Sequence, residues 1–211
     1  MCSPFDAEQS IASLQRYQSA DAFLAEVEKF RTVTDERFFN DNRYKKVQEA
    51  WIAGHCARAL ETLERPVQVR LVADRERFPD FQMQIDGREH EFEVVTVMKP
   101  NRKLGQEYKR RAHEKLLLTP YRPALGERRG PCWVAVAIHR KARKHYGTRP
   151  HLLIYANFEA NELDLKHVAA AAGAAMEQFL SVWVLWRTQL GKVHDASGTF
   201  PDRNLHWLHK D

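Results

Sequence analysis

The sequence predicts an α/β protein in which a mixed sheet carries helices on both faces. Three helix-like segments open the 211-residue chain, alternating apolar and polar residues follow, and helix-like and strand-like segments then take turns. A meander followed by such alternation is typical of a mixed sheet. The length allows a single domain, which we divide into an N-terminal helical segment (1–40), a core (41–190) and a polar tail (191–211).

Three amphipathic helices are predicted at the N-terminus. The first begins near Asp6, because Gln9 follows it at the spacing of a helix start. The second covers Ala20–Val33, with the apolar stripe Phe23, Leu24, Val27 and Phe30 on its inner side. The third covers about Asp41–Glu64. The third ends there because Pro66 disfavours helical geometry in the residue before it.

The period changes after the third helix, and three strands are predicted. Val67–Leu71 alternates apolar and polar residues, and Asp80–Ile85 and Arg88–Val97 follow as the next two strands. The pair Asp86-Gly87 between the last two predicts a tight hairpin turn, since both turn positions require positive φ.

The second half of the chain is predicted to alternate helices and strands. In order, we expect a basic helix over Leu104–Leu117, a loop over Thr119–Pro131, a strand over Cys132–Ile138, a short basic helical or turn segment over Arg140–Tyr146, a strand over His151–Phe158, a helix over Leu163–Gln178 and a strand over Phe179–Trp186.

Charge is distributed unevenly along the chain, although the total is only +5. Lys99–Arg149 holds 15 Lys and Arg against 3 Asp and Glu, a local balance of +12, which leaves −7 for the remainder. A charge cluster of this kind is often only a solvated surface. The length of the basic stretch favours a polyanionic partner instead.

Cysteine usage and hydropathy restrict the cellular compartment and the kinds of partner that we expect. The three cysteines are far apart in sequence and odd in number, which excludes a disulfide scaffold and fits the cytoplasm. The longest apolar run, Val168–Met176, is far shorter than the roughly 20 residues of a membrane span, so no membrane partner is expected.

The predicted hairpin places carboxylates on one face. If Asp86-Gly87 is a two-residue turn, Asp80 pairs with Glu93, and Glu89 and Glu91 lie on the same face. Opposed like charges are unfavourable unless a cation compensates them, and Mg²⁺ prefers carboxylate oxygens. The alternative is a plain solvent-facing side of an antiparallel hairpin.

Glu49 is the further carboxylate candidate. On a helical wheel it shares a side with the apolar residues of the third helix, where a buried glutamate needs a partner or a metal. The alternative is an exposed position near the helix start, where the helix dipole favours a negative charge.

These residues resemble the PD-(D/E)XK nuclease superfamily, whose restriction-endonuclease-like core has the order αβββαβ. Pro79-Asp80 matches the first part of the signature, and Glu91-Phe92-Glu93 lies where acidic-x-Lys is expected. Glu49 corresponds to the helix carboxylate. The family lysine is replaced by Glu93, a change that some active members share.

The resemblance implies a metal-dependent phosphodiester hydrolase, an endonuclease acting on DNA more readily than on RNA. Asp80, Glu91 and Glu49 would hold Mg²⁺ or Mn²⁺, and Glu93 would orient the attacking water. Lys99 could replace the missing lysine, and Gln106 would line the site. A homodimer is also expected, because many restriction enzymes pair to cut both strands.

Nucleic acid would be bound by basic residues of the +12 stretch. The candidates are Lys109, Arg110, Arg140, Lys141, Arg143 and Lys144. Two alternatives to a nuclease remain open at this point: a catalytically inactive nucleic-acid-binding module on the same fold, and a protein-interaction module or unrelated α/β enzyme.

Overall fold

The computed structural model describes residues 7–34, 38, 44–73, 78–102, 122–144, 146–198, 200 and 204–206. These residues form two compact units, the first reaching to Glu91 and the second made of Phe92–Arg102 and the described residues from Arg122 onward. The predicted α/β class with a mixed sheet is confirmed, because helices accompany both parallel and antiparallel strand pairs.

The first unit packs helices on a small antiparallel sheet. Its helices are α1 (Ala7–Leu14), α2 (Ala20–Thr34) and α3 (Lys45–Glu61), and its strands are β1 (Gln18–Ser19), β2 (Val67–Leu71) and β3 (Phe81–Ile85). Strand β2 pairs antiparallel with both β1 and β3. Helices α2 and α3 pack on each other and on β2, and α2 buries the apolar stripe that its sequence predicts: Phe23, Leu24, Val27 and Phe30.

The tight turn after β3 is present as predicted. Asp86 and Gly87 have φ of 51° and 76°, the positive values that a two-residue hairpin turn requires. The turn leads into strand β4 (Arg88–Met98), the first four residues of which belong to the first unit.

The second unit contains a mixed sheet covered by helices. Strands β4, β5 (His151–Asn157) and β6 (Ser181–Trp186) run parallel, and β7 (Gln189–Asp195) and β8 (Leu205–His206) add antiparallel pairs. Its helices are α4 (Ala124–Ala142) and α5 (Leu165–Ala172), followed by a 3₁₀ segment over Gly173–Gln178. Their buried residues form one core with the sheet, including Val134, Ile138, Leu152, Val168 and Val184.

The segment predicted to form a polar tail (191–211) contains strand structure, because β7 begins before Gly191 and continues past it. Leu190 is fully buried and pairs with Leu185 of β6. Because β7 contains several polar residues, its composition alone resembles that of a polar tail.

The predicted strand over Cys132–Ile138 is wrong, because these residues lie in the middle of α4. The predicted loop over Thr119–Pro131 is wrong from Ala124 onward, and the basic segment after Arg140 continues the same helix to Ala142. A short apolar run fits a buried strand or a buried helix equally well, and the flanking Gly130-Pro131 favoured the strand.

Close packing explains why glycines lie inside α4. A Cβ on Gly126 would lie 1.8 Å from the carbonyl oxygen of Glu159, and one on Gly130 would lie 2.5 Å from the ring of Phe158. These glycines let the helix approach the chain that follows β5, and they do not mark a turn.

Two further outcomes complete the comparison. The helix predicted over Leu104–Leu117 lies outside the described residues. Among the helices of the described part of the chain, none combines the length and the apolar character that crossing a membrane requires.

Candidate functional site

Glu49 lies in the buried side of α3 and is neutralised by lysines. It is 7% exposed, so the structure supports the buried alternative and not the exposed one. Lys45 Nζ lies 3.2 Å from its Oε1, and Lys46 Nζ lies 3.3 Å from its Oε2. Both lysines come from the preceding turn of the same helix. The partner that a buried glutamate needs is therefore supplied by ammonium groups.

Asp80 reaches the same lysine through its backbone. Lys46 donates a hydrogen bond of 3.3 Å to the carbonyl oxygen of Asp80, which also accepts from the backbone N–H of Val72. Two of the predicted catalytic residues, Glu49 and Asp80, thus contact the same ammonium group, Glu49 through its carboxylate and Asp80 through its backbone carbonyl. Glu91 is half-buried on β4.

The neighbouring carboxylate, Glu89, is bound by neutral polar groups. Tyr17 Oη donates to its Oε2 at 2.6 Å, and Gln82 Nε2 donates to its Oε1 at 2.8 Å. Burial raises the pKa of Tyr17 to about 12, and the hydrogen bond to Glu89 adds to the effect. Tyr17 therefore stays protonated and keeps donating over the whole physiological range.

Glu93 lies in the second unit, where it is held by two lysines of the α4 end. Its carboxylate contacts the ammonium group of Lys141, and Lys144 Nζ lies 3.3 Å from the same Oε1. Lys141 also donates to the carbonyl oxygen of Val94 at 3.0 Å. Glu93 is 4% exposed, so a water molecule attacking a substrate has no open approach to it.

A divalent cation does not fit this donor set. Among the described residues, no three His, Cys, Asp or Glu side chains come together in a way that could hold a metal ion. The two buried carboxylates among the candidates, Glu49 and Glu93, already have cationic partners. The predicted Mg²⁺ or Mn²⁺ site therefore plays no part in the function proposed below.

The strongest surface feature of the second unit is the outer side of α4. Arg128, Arg129, Arg140 and Arg143 are all exposed, and Cys132, Val136 and His139 lie exposed among them. At 3.6 residues per turn, these seven positions fall within an arc of about 120°. We call the four arginines and the three residues among them the arginine face.

The cations of the arginine face are not neutralised locally. Within the part of the chain that the structure describes, none of the four arginines has an acidic partner. The nearest acids in sequence are used elsewhere: Glu127 accepts from the backbone N–H of Asn161 at 3.0 Å, and Glu159 accepts from that of Arg122 at 2.8 Å.

The arginine face also determines the outcome for the predicted basic residues. Arg140 and Arg143 lie on it, whereas Lys141 points inward to Glu93 and Lys144 pairs with the same carboxylate while staying 58% exposed. Lys99 is exposed just after β4. The remaining candidates, Lys109, Arg110 and Gln106, lie outside the described residues.

Arg128 and Arg129 are not among the binding residues predicted from the sequence, because a loop is predicted over their segment. The spacing of Arg129, Val136, Arg140 and Arg143, at about one or two helical turns, is the signal that a helical assignment would have made visible.

Comparison with known proteins gives little guidance. No protein-family model matches the chain, and no curated protein matches its sequence. One solved structure, a protein of unknown function from Pseudomonas aeruginosa strain PAO1 described under the Monooxygenase Superfamily, is 17% identical over 92% of this chain and 98% of its own, with a TM-score of 0.42. A likeness at this level assigns no activity to this chain.

The predicted membership of the PD-(D/E)XK superfamily is corrected by these findings. No family model matches the chain, so the short signature has no support beyond its own few residues. The predictions that depended on this family are therefore also corrected. They are phosphodiester hydrolysis at Asp80, Glu91, Glu93 and Glu49, and the assignment to DNA-binding nucleases. The lysine pairs of Glu49 and Glu93 give the physical reason.

Proposed function

We propose that the second unit binds an extended, phosphate-bearing polyanion through the arginine face, without catalysis. The single observation that carries this proposal is the set of four exposed arginines on one side of α4 with no acidic partner among the described residues. Arginine is suited to this task because its planar guanidinium group binds phosphate oxygens in a bidentate way.

The spacing of the arginines favours a long ligand over a single anion. Arg128 and Arg129 lie near the start of α4, whereas Arg140 lies in its last turn and Arg143 directly follows it, about 20 Å away at 1.5 Å per residue. One phosphate group cannot contact both pairs. A nucleic-acid strand, with a charge about every 3.4 Å, presents several phosphates over that distance.

The arrangement supports binding to a backbone more than reading of a sequence. Four guanidinium groups on a regular helix can neutralise phosphates, and contacts of this kind position a protein without specifying bases. We therefore propose a nucleic acid as the partner class on charge alone.

The cytoplasm is the proposed location, because the described cysteines, Cys56 and Cys132, are both free.

Fluorescence anisotropy with labelled oligonucleotides tests this proposal. Single-stranded RNA, single-stranded DNA and a duplex of equal length are titrated with the protein between 50 and 200 mM salt. We compare the wild type with a variant carrying Arg128→Gln, Arg129→Gln, Arg140→Gln and Arg143→Gln. A control variant carries Arg16→Gln, Arg31→Gln, Arg65→Gln and Arg88→Gln, which remove the same charge from the first unit.

We expect the wild type to bind at low salt, with a slope of log K against log salt that the arginine-face variant reduces by about 3, or roughly 0.7–0.9 for each lost contact. The control variant should keep most of the slope. Equal losses in the two variants would show that only net charge matters. Absence of wild-type binding to all three probes at 50 mM salt would end the proposal.

A further inference from the structure

Cys132 and His167 form a close pair on the surface of the second unit. Cys132 is exposed in the middle of α4, and His167 is exposed in the first turn of α5. The distance from Cys132 Sγ to His167 Nε2 is 3.9 Å. A thiol and an imidazole nitrogen at this distance can share the thiol proton, which is the arrangement that activates a cysteine nucleophile.

The position of each partner is fixed by the packing of the two helices. Helices α4 and α5 pack against each other in the core of the unit, where Val134 and Val168 are fully buried. Asp164 caps the start of α5 by accepting from the backbone N–H of His167 at 2.9 Å. The cap holds the first turn in place, so His167 has a defined position opposite Cys132.

Two cationic side chains precede Cys132 on the same helix. Arg128 and Arg129 lie about one turn before it on α4 and have no acidic partner among the described residues. His139, the histidine of α4, is exposed, and its Nε2 lies 3.2 Å from the carbonyl oxygen of Ala171.

Cys56 provides an internal contrast. It is fully buried in α3, and burial raises the pKa of its thiol well above the ordinary range. A thiol that is both inaccessible and held in its protonated form is unreactive. Reactivity toward a dissolved reagent should therefore differ sharply between the two described cysteines.

We propose that Cys132 is a thiol-modification site that reacts with small dissolved disulfides, with His167 accepting the thiol proton. The sulfur of Cys132 attacks one sulfur of the reagent, a new S–S bond forms to the protein, and the S–S bond of the reagent breaks. The other half of the reagent leaves as a thiolate, and the proton that His167 accepted passes to the solvent. Cys132 is oxidised and the reagent is reduced, so no further oxidant is required.

Other charged and titratable groups lie on the elements that pack together here and could influence the pair. They are Glu127, Arg128, Arg129 and His139 on α4, Asp164 and Lys166 at the start of α5, Glu162 before it, and Glu177 in the 3₁₀ segment. This inference concerns the chemistry of the thiol alone and stands whether or not the arginine face binds a polyanion.

The test measures the rate of reaction with an aromatic disulfide, 5,5′-dithiobis(2-nitrobenzoate), from the absorbance of the released thiolate. The full-length chain carries Cys2→Ser, which leaves Cys56 and Cys132. The rate is followed from pH 6 to pH 9 in this background and after adding Cys132→Ser, His167→Gln or, as the matched control, His90→Gln in the first unit.

We expect one fast thiol that disappears with Cys132→Ser, while Cys56 reacts only after unfolding in urea. His167→Gln should slow the fast reaction about threefold or more at pH 7. The difference should shrink toward pH 9, where hydroxide removes the proton without help. His90→Gln should leave the rate unchanged. Equal rates for His167→Gln and the background at every pH, or a Cys132 no faster than a free thiol, would overturn the proposal.

Discussion

Lys141 and Glu93 form an ion pair that is almost completely removed from solvent. The exposed fractions of their side chains are 11% and 5%. Lys141 reaches the carboxylate from the end of α4, and Glu93 lies on β4, so the pair joins the helix to the sheet within the second unit. Lys144 shares the same carboxylate but is 58% exposed.

The first prediction follows from this pair. Lys141→Met should lower the free energy of unfolding by about 3 kcal/mol, because it leaves a buried carboxylate with only one partly hydrated partner. Lys144→Met should cost less than about 1 kcal/mol, since exposed ion pairs contribute little. Urea unfolding followed by circular dichroism measures both changes.

Glu93→Gln combined with Lys141→Met is the control for that comparison. Removing both charges should restore part of the stability lost in Lys141→Met, because no unpaired buried charge remains. A double variant that is as unstable as the sum of the two single variants would show that the two side chains do not interact.

The same pair illustrates what the sequence could and could not predict. Local signals were sufficient for the Asp86-Gly87 turn and for the buried stripe of α2, because each depends on neighbours in the chain. Glu93 and Lys141 are 48 positions apart, and nothing in either segment indicates that one neutralises the other. The carboxylate pattern alone therefore suggested a metal.

The misreading of α4 has a similar cause. The sequence predicts a loop at Gly126 and Gly130. In the structure, these positions need glycine because a Cβ there would meet Glu159 and Phe158 of another segment. A loop prediction over this segment hides the arginine face, because its residues lie on one side only when the segment is a helix. The Cys132–His167 pair also depends on how two helices pack.

The second prediction concerns Gly126. Replacing glycine with alanine inside a helix normally stabilises it by about 1 kcal/mol. Gly126→Ala should instead destabilise the protein by about 3 kcal/mol, because the new Cβ would lie 1.8 Å from a backbone oxygen that cannot move away easily. Thermal or urea unfolding gives the sign directly.

Gly147→Ala is the matched substitution, since a Cβ at that position meets no atom within 4 Å. We expect its stability to change by less than about 0.5 kcal/mol. A stabilised Gly126→Ala would mean that α4 does not approach the carbonyl group of Glu159 in solution.

The third prediction concerns the pH dependence of stability. Burial lowers the pKa of His55 to about 3, and the cationic Arg58 and Arg31 add to the effect. The unfolded chain, with an ordinary histidine pKa near 6.5, binds a proton at a higher pH than the folded chain does. The stability that neutral His55 provides is therefore present above pH 6.5 and is lost progressively as the pH falls toward 3.

Comparison of the wild type with His55→Gln isolates this contribution. Between pH 7 and pH 5, the wild type should lose about 2 kcal/mol more than the variant does, because the variant has no proton to bind at this position. Parallel curves for the wild type and His55→Gln would contradict the assignment.

The fourth prediction tests the centre of the arginine face. Val136 is 67% exposed, so its side chain can be exchanged with little effect on folding. If a polyanion lies along α4, Val136→Lys should strengthen binding several-fold, and Val136→Glu should weaken it by a similar factor. The salt slope should change in opposite directions by about 0.7–0.9 in the two variants.

The same pair of substitutions at Val33, which is 49% exposed on α2, should leave the affinity unchanged. Lysine and glutamate have similar helix propensities, so the two Val136 variants differ mainly in charge. Opposite shifts at Val136 therefore report on the sign of the ligand. If both variants weaken binding equally, the exposed valine itself contacts the partner, and the arginine face is an apolar docking surface with a charged border.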